Sequence, residues 1–194
     1  MSYDGPLRDE PLAIELHNTI YATSAGVVDA LAGDASSGAW LRALAPRLPV
    51  CDLPAGALPE ASELVALRTA VRAALHAAVA GDAPDPRDVE TINRASRRAP
   101  QSLVVRWSSS DAPPRRGTDF QRASRADVIV AALAADAIEL LTSSRRDALR
   151  TCGAPGCVLM FLKEHPRREW CSDACGNRAR QARHYERTRR GGPR

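Results

Sequence analysis

Apolar side chains recur every three or four residues along most of the first 144 positions, which is the spacing of one face of an α-helix. The clearest stretch runs from Pro59 to Ala80 and is followed by Gly81, a typical helix terminator. Its apolar positions are Leu64, Leu67, Val71, Leu75 and Val79. A second stretch starts after Ser124, a favourable N-cap residue, and is apolar on nearly all sides through Leu141. We therefore expect a central, largely buried helix there.

Weaker patterns complete the prediction for this part of the chain. Shorter helices are predicted over residues 12–22, 37–48 and 86–98. Residues 102–108 alternate weakly and predict a strand, which a Pro- and Arg-rich turn returns into a partner strand at 118–121. The predicted fold class is mainly α with a small β component. Its predicted domains are a helical domain, 1–144, with a β-hairpin near 102–121, and a C-terminal unit, 145–194.

The C-terminal unit is distinguished by its cysteines. Four of the five cysteines fall there with the spacing C-x4-C-x13-C-x3-C, at Cys152, Cys157, Cys171 and Cys175. The N-terminus has no apolar signal segment, so we expect a reducing, cytoplasmic location in which disulfides are disfavoured. Four thiolates suit one Zn²⁺ ion and leave no open position on it, so the predicted role of the metal is structural. An iron–sulfur centre and a disulfide pair are the less favoured alternatives.

The residues around these cysteines predict a treble-clef-like finger. Glycines and a proline between Cys152 and Cys157 favour a tight knuckle. An apolar strand is predicted over 158–162, a returning strand at 169–170, and a helix from Asp173. So short a unit buries too little surface to fold alone, so we expect zinc to hold it together.

Arginines concentrate on one side of that last helix. Plotted at 100° per residue, Arg180, Arg183, Arg187 and Arg190 share an arc of about 80°. Arginine matches phosphate oxygens and guanine edges, so this side predicts contact with nucleic acid. The predicted contacts are Arg180, Arg183, Arg187, Arg189 and Arg190, helped by a disordered tail at 191–194. A solvated helix that only aids solubility is the alternative.

Net charge also differs between the two predicted domains. The chain has 27 basic and 23 acidic residues, a net charge of +4. Residues 1–144 hold fourteen basic and eighteen acidic residues, whereas residues 145–194 hold thirteen and five. An acidic body with a basic end predicts that the end meets a polyanion. No apolar stretch approaches about 20 residues, so no membrane span is expected.

Residues 1–144 contain few candidates for a binding or catalytic site. His17, Asn18 and Thr19 are polar residues in an apolar stretch, and they predict either a pocket for a small-molecule effector or hydrogen bonds between a helix and a loop. Cys51 is either a redox sensor or an idle thiol. Catalytic motifs such as GxSxG, HExxH and the Walker sequence are absent from the sequence, so we expect no enzyme.

Two family resemblances add to these predictions. Cys175-Gly176-Asn177-Arg178 is the signature of the CGNR zinc finger, and the last 45 or so residues resemble that family. The resemblance implies structural roles within the finger for Phe161, Trp170, Arg178 and Tyr185. The helix plot places Tyr185 on the buried side and turns Arg178 toward the apolar side, where we expect it to bond the carbonyls of the finger hairpin.

The body resembles the ABATE domain that usually precedes this finger. The resemblance rests on residues 12–19, the pair Trp40-Leu41 and the helix over 64–80. Such proteins are described as bacterial, stress-induced transcription regulators whose finger binds DNA. We therefore expect a DNA-binding regulator whose body senses a small molecule or forms a homodimer. An RNA-binding module and a protein-interaction finger are the alternatives.

Overall fold

The computed structural model describes residues 3–50, 53–54, 56–109 and 112–190. Its α-helices are α1 (Leu12–His17), α2 (Asp34–Leu44), α3 (Ala61–Ala80), α4 (Pro86–Ser96), α5 (Arg125–Thr142) and α6 (Asp173–Arg190). Its strands are β1 (Ile20–Thr23), β2 (Gly26–Asp29), β3 (Ser102–Arg106), β4 (Arg115–Asp119), β5 (Leu149–Thr151) and β6 (Met160–Leu162). The strands form three separate antiparallel hairpins, so the fold class is mainly α with a small β component, as predicted. Cys51 and the tail at 191–194 lie outside the described residues.

Helices α3 and α5 form the centre of the body. Side chains on both are fully buried, Leu75 and Leu133 among them, and Trp40 of α2 packs into the same core. Arg98, just after α4, donates to Glu63 near the start of α3 at 2.8 Å and to Asp127 near the start of α5 at 2.6 Å. The N-terminal ends of α3 and α5 therefore lie together. No helix in the described ranges is both long and apolar enough to span a bilayer.

The first helix is shorter than the periodicity predicts. It ends at His17, and the chain continues into the β1–β2 hairpin, in which Ile20 pairs with Asp29. The Thr19 hydroxyl donates to the Leu16 carbonyl at 2.7 Å and turns the chain out of the helix. Gly26 begins β2 with a φ of 130°, which favours glycine, so a tight turn is possible there.

The predicted partner of the finger strand is wrong. Residues 169–170 form no strand, and β6 pairs instead with β5, which precedes the first cysteine. Leu149, Met160 and Leu162 of this hairpin point into the main core of the body. Phe161, between them, faces a second, smaller core with the cysteines. The hairpin thus connects the two cores through the alternation of its side chains.

Candidate metal centre and nucleic-acid interface

The four predicted ligands converge. The sulfur atoms of Cys152, Cys157, Cys171 and Cys175 all lie within 4.8 Å of one another. The Sγ atom of Cys171 is 3.7 Å from that of Cys157 and 3.5 Å from that of Cys175. Four sulfurs bound at about 2.3 Å to a tetrahedral ion would be about 3.8 Å apart. The cluster therefore has the dimensions of one structural zinc ion.

The surroundings of the sulfurs shift the pKa values of the cysteines in opposite directions, and the thiolate is the form that binds zinc. Backbone N–H groups of Ala154 and Leu159 donate to the sulfurs of the first two cysteines. Hydrogen bonding from the Cys171 thiol lowers the pKa of Cys157 to about 5, whereas burial raises the pKa of Cys152. The same hydrogen bond to Cys157, together with burial, raises the pKa of Cys171. Zinc, when bound, supplies the bond that ties the knuckle, β6 and α6 together.

Each residue of the Cys-Gly-Asn-Arg signature has a distinct contact. Cys175 offers a sulfur, and the Arg178 guanidinium donates to that sulfur at 3.3 Å. A Cβ atom on Gly176 would be 2.9 Å from Cδ1 of Trp170, so only glycine lets the Trp170 ring lie against the helix. The Asn177 side-chain oxygen accepts a hydrogen bond from Arg180 at 2.6 Å. The signature thus combines metal binding, close packing and the orientation of one arginine.

Arg168 makes the kind of bond to a hairpin carbonyl that the sequence analysis expects of Arg178, whereas Arg178 braces the finger through a cysteine sulfur. Arg168 donates to the Leu162 carbonyl at 3.0 Å and lies over the Phe161 ring at 4.9 Å from its centroid. Arg178 reaches the Cys175 sulfur instead, so its predicted bonds to hairpin carbonyls are wrong. The sequence offered one signal for Arg168, which is its place in the Arg-rich turn of the finger family.

Tyr185 also differs from its predicted role. Its side chain is 72% exposed, whereas Phe161 is buried among the cysteines and Trp170 packs at the edge of that cluster. The helix plot placed Tyr185 on the buried side, but α6 extends beyond the small core, and Ala179 is the last α6 residue that is buried. The second half of α6 is consequently exposed on nearly all sides.

Three of the predicted arginines share one exposed surface of α6. Arg180, Arg183 and Arg187 line a shallow groove with Glu186, and Arg189 is also exposed. Arg183 lies over the Trp170 ring, 6.0 Å from its centroid. Within the described part of the chain, none of these four arginines forms an ion pair with a carboxylate. Their charge is therefore available to an anionic partner. Arg190, the fifth predicted contact, is the last residue of α6.

The proposed pocket at His17, Asn18 and Thr19 is filled by protein. All three side chains are fully buried. The Asn18 amide donates to the Met160 carbonyl at 3.0 Å and its oxygen accepts from the Met160 N–H at 2.9 Å. Thr19 accepts from Arg68 at 3.1 Å. These residues make hydrogen bonds between elements, the second of the two predicted roles, and the ligand pocket is wrong.

Glu10 is a contact that the sequence did not indicate. Its carboxylate is 3% exposed, accepts the Leu162 N–H at 2.9 Å and forms an ion pair with Arg168. Together with Asn18, it holds both ends of β6 against the N-terminal segment. A carboxylate that serves a partner 152 positions away leaves no local pattern in the sequence.

A cleft of about 540 Å³ opens between α3, α4 and α5. Its walls are mainly apolar and include Ala78, Ile138 and Leu141, and its rim carries Asn93 and Arg146. Arg146 belongs to the 3₁₀ turn Ser144–Ala148, which continues directly into β5 of the finger. The cleft therefore lies where the body joins the finger.

Comparison with protein-family models gives two matches. The ABATE model, described as "Putative stress-induced transcription regulator", matches residues 10–144, and the CGNR zinc finger model matches residues 148–188. Both resemblances and their order are as predicted. A search of curated proteins gives no match. The first model covers more than half of the chain, and the second covers the four converging cysteines, so the chain belongs to the ABATE family and ends in a CGNR zinc finger.

Proposed function

We propose that this protein is a transcription regulator that binds duplex DNA through α6. The observation that carries the proposal is the row of exposed arginines without acidic partners, Arg180, Arg183 and Arg187, on a helix anchored to the cysteine cluster. A row of guanidinium groups on a fixed helix suits phosphates and base edges along a groove. Four thiolates leave a zinc ion no open position, so the proposed role is binding and not catalysis.

The body's proposed part is to sense a small molecule in the cleft between α3, α4 and α5. Apolar walls and a few polar rim groups are typical of ligand sites. A molecule that contacts Leu141 and Arg146 would bias the 3₁₀ turn that leads into β5. Because β5 and β6 carry the finger, this position supports coupling between effector and DNA contact.

The test compares Arg183→Ala and Arg187→Ala with the unaltered protein, by titrating zinc-loaded protein into labelled duplex DNA across a salt series. Each lost phosphate contact should weaken binding to all sequences and reduce the salt slope by about 0.9. The matched control is Arg97→Ala, which removes an equally exposed arginine that pairs with Glu90 on the body. It should leave both affinity and slope unchanged.

The alternatives predict different results in the same assay. Stronger competition by structured RNA than by duplex DNA would favour an RNA-binding module. Zinc-loaded protein that shows no salt-sensitive binding to either nucleic acid would overturn the proposal and favour a protein-interaction finger.

A further inference from the structure

The β3–β4 hairpin exposes large apolar side chains that nothing in the described structure covers. Leu103, Val105 and Trp107 are 68%, 75% and 64% exposed. Leu103 and Val105 occupy alternate positions of β3, so they lie on the same face of the hairpin, and Trp107 directly follows the end of β3 at Arg106. Thr118 and Arg116 pair with Leu103 and Val105 and share this face. The exposed face is thus apolar with an arginine among its members.

The hairpin is also cationic, although it belongs to an acidic body. Residues 102–122 include four arginines and two aspartates. Among the described residues, Arg106, Arg115 and Arg116 form no ion pair. Arg116 lies on the apolar face, whereas Arg106 and Arg115 pair with each other on the opposite face. Arg106 donates to the Thr118 carbonyl at 3.2 Å and folds over Gly117, which leaves its charge unneutralised. The aspartate of β4, Asp119, accepts the Gln121 N–H at 2.9 Å instead of pairing with an arginine.

The exposed apolar side chains and the arginines without ion pairs together favour a nucleic acid over a second copy of the chain as the partner of this hairpin. A second copy of the hairpin would cover the apolar side chains but would bring the Arg116 side chains of the two copies together, which is unfavourable. A nucleic acid supplies negative charge to the arginines and grooves to the apolar side chains. The major groove of DNA admits a two-stranded β-ribbon, and apolar side chains that insert between base steps from the minor groove unstack those steps and kink the duplex.

We propose that the β3–β4 hairpin is a second DNA-contacting surface, which binds a groove of the same duplex that α6 contacts. This inference rests on the proposed function of α6 and adds the second contact that a single finger needs for useful specificity.

The placement of the hairpin suits such a double contact. It directly precedes the N-terminus of α5, and β5 begins shortly after the C-terminus of α5. A helix of 18 residues is about 27 Å long. Corresponding points on one side of B-DNA recur about every 34 Å, so a separation equal to the length of α5 is somewhat less than one turn of the duplex.

The experiment measures binding to duplexes of 10 and 25 base pairs across a salt series. The double variant Arg115→Ala with Arg116→Ala is compared with Arg87→Ala plus Arg94→Ala, two exposed arginines on α4. On the longer duplex, the hairpin variant should bind at least tenfold more weakly, with a salt slope smaller by about 2. On the shorter duplex, which is too short for two full contacts separated by the length of α5, it should bind like the unaltered protein. The α4 control should behave like the unaltered protein on both.

Trp107 supplies an independent measurement. It is well exposed, whereas Trp40 is fully buried and Trp170 is half-buried beside α6, so contact of DNA with the hairpin should quench the fluorescence of Trp107. The Trp107→Phe variant should lose most of the quenching observed with the 25-base-pair duplex and retain that of the 10-base-pair duplex.

Three results would overturn the proposal while leaving the role of α6 intact. The first is unchanged affinity and slope for the hairpin variant on the longer duplex, with Arg183→Ala still weakening binding. The second is equal weakening on both duplexes. The third is a dimer in sedimentation that Trp107→Ala converts to a monomer without altering DNA binding, which would assign the face to a second copy. If the unaltered protein binds neither duplex, both proposals fail together.

Discussion

His17 shows how a buried polar residue makes stability depend on pH. Its ring lies in the core, with Nδ1 3.1 Å from Oδ1 of Asn18 and Nε2 3.3 Å from Nε2 of His76. Burial, the positive charge of Arg72 and the neighbouring His76 lower the pKa of His17 to about 3. Burial and Arg72 lower the pKa of His76 as well. Both rings are therefore neutral in the folded protein near neutral pH.

We expect the folded state to lose stability as the pH falls below about 6.5. Between pH 6.5 and about 3, His17 is protonated in the unfolded state but stays neutral in the folded state, so protonation favours unfolding. The loss for His17 is about 1.4 kcal/mol per pH unit, or about 2 kcal/mol at pH 5. Urea unfolding at pH 7.5, 6 and 5 measures this dependence.

His17→Gln should flatten this pH dependence, and the exposed His184→Gln should leave it unchanged. A His17→Gln protein that loses as much free energy of unfolding between pH 7.5 and pH 5 as the unaltered protein would refute the assignment.

At the scale of elements, local pattern predicted the long helices well and the short elements poorly. Helix α3 was predicted to within two residues because a buried stripe and a C-terminal glycine are encoded locally. The end of α1 and the β1–β2 hairpin were missed because contacts distant in sequence fix them. Asn18 bonds to Met160, and Arg68 bonds to Asp29. The same limit hid the pairing of β5 with β6.

The candidate metal centre and its surroundings were likewise predictable only in part. Ligand spacing located all four cysteines, because a tetrahedral ion requires two close pairs of thiolates. The exposure of Tyr185 could not be predicted, because it depends on where the small core ends along α6. Arg168 and Glu10 were missed as a pair because neither spacing nor composition relates them.

The stability of the fold around strand β6 should depend strongly on Arg168. That guanidinium pairs with buried Glu10 and bonds to the Leu162 carbonyl. Arg168→Ala would leave the Glu10 carboxylate buried without its charged partner, so we expect the free energy of unfolding to fall by about 3–5 kcal/mol. Chemical denaturation of zinc-loaded protein provides the measurement.

The neighbouring arginine is a matched control, because Arg167 is exposed. Arg167→Ala should change stability by about 0.5 kcal/mol or less. Adding Glu10→Gln to Arg168→Ala should recover part of the loss, since the uncompensated charge is then gone. Equal effects of Arg167→Ala and Arg168→Ala would show that the Glu10 contact does not hold β6.

In the molecule as a whole, the finger is part of the body's structure. Leu149, Met160 and Leu162 belong to the main core, while Phe161 and Leu159 pack with the cysteines. A change at the metal site therefore has a short path to the helices. This path is also the route by which a ligand in the cleft beside α5 would reach the finger.

We therefore expect loss of zinc to destabilise the body as well as the finger. Cys171→Ser, or chelation of the metal, should lower the melting temperature of the whole chain in a single calorimetric transition, because β5 and β6 leave the main core when the finger opens. The fluorescence of Trp40, fully buried in that core, should shift to longer wavelength in the same transition.

Asn18→Ala removes two bonds to Met160 and should separate melting into two steps, with the zinc-dependent step first. Zinc removal that unfolds the finger but leaves the Trp40 transition at its original temperature would show that the two parts are stable independently.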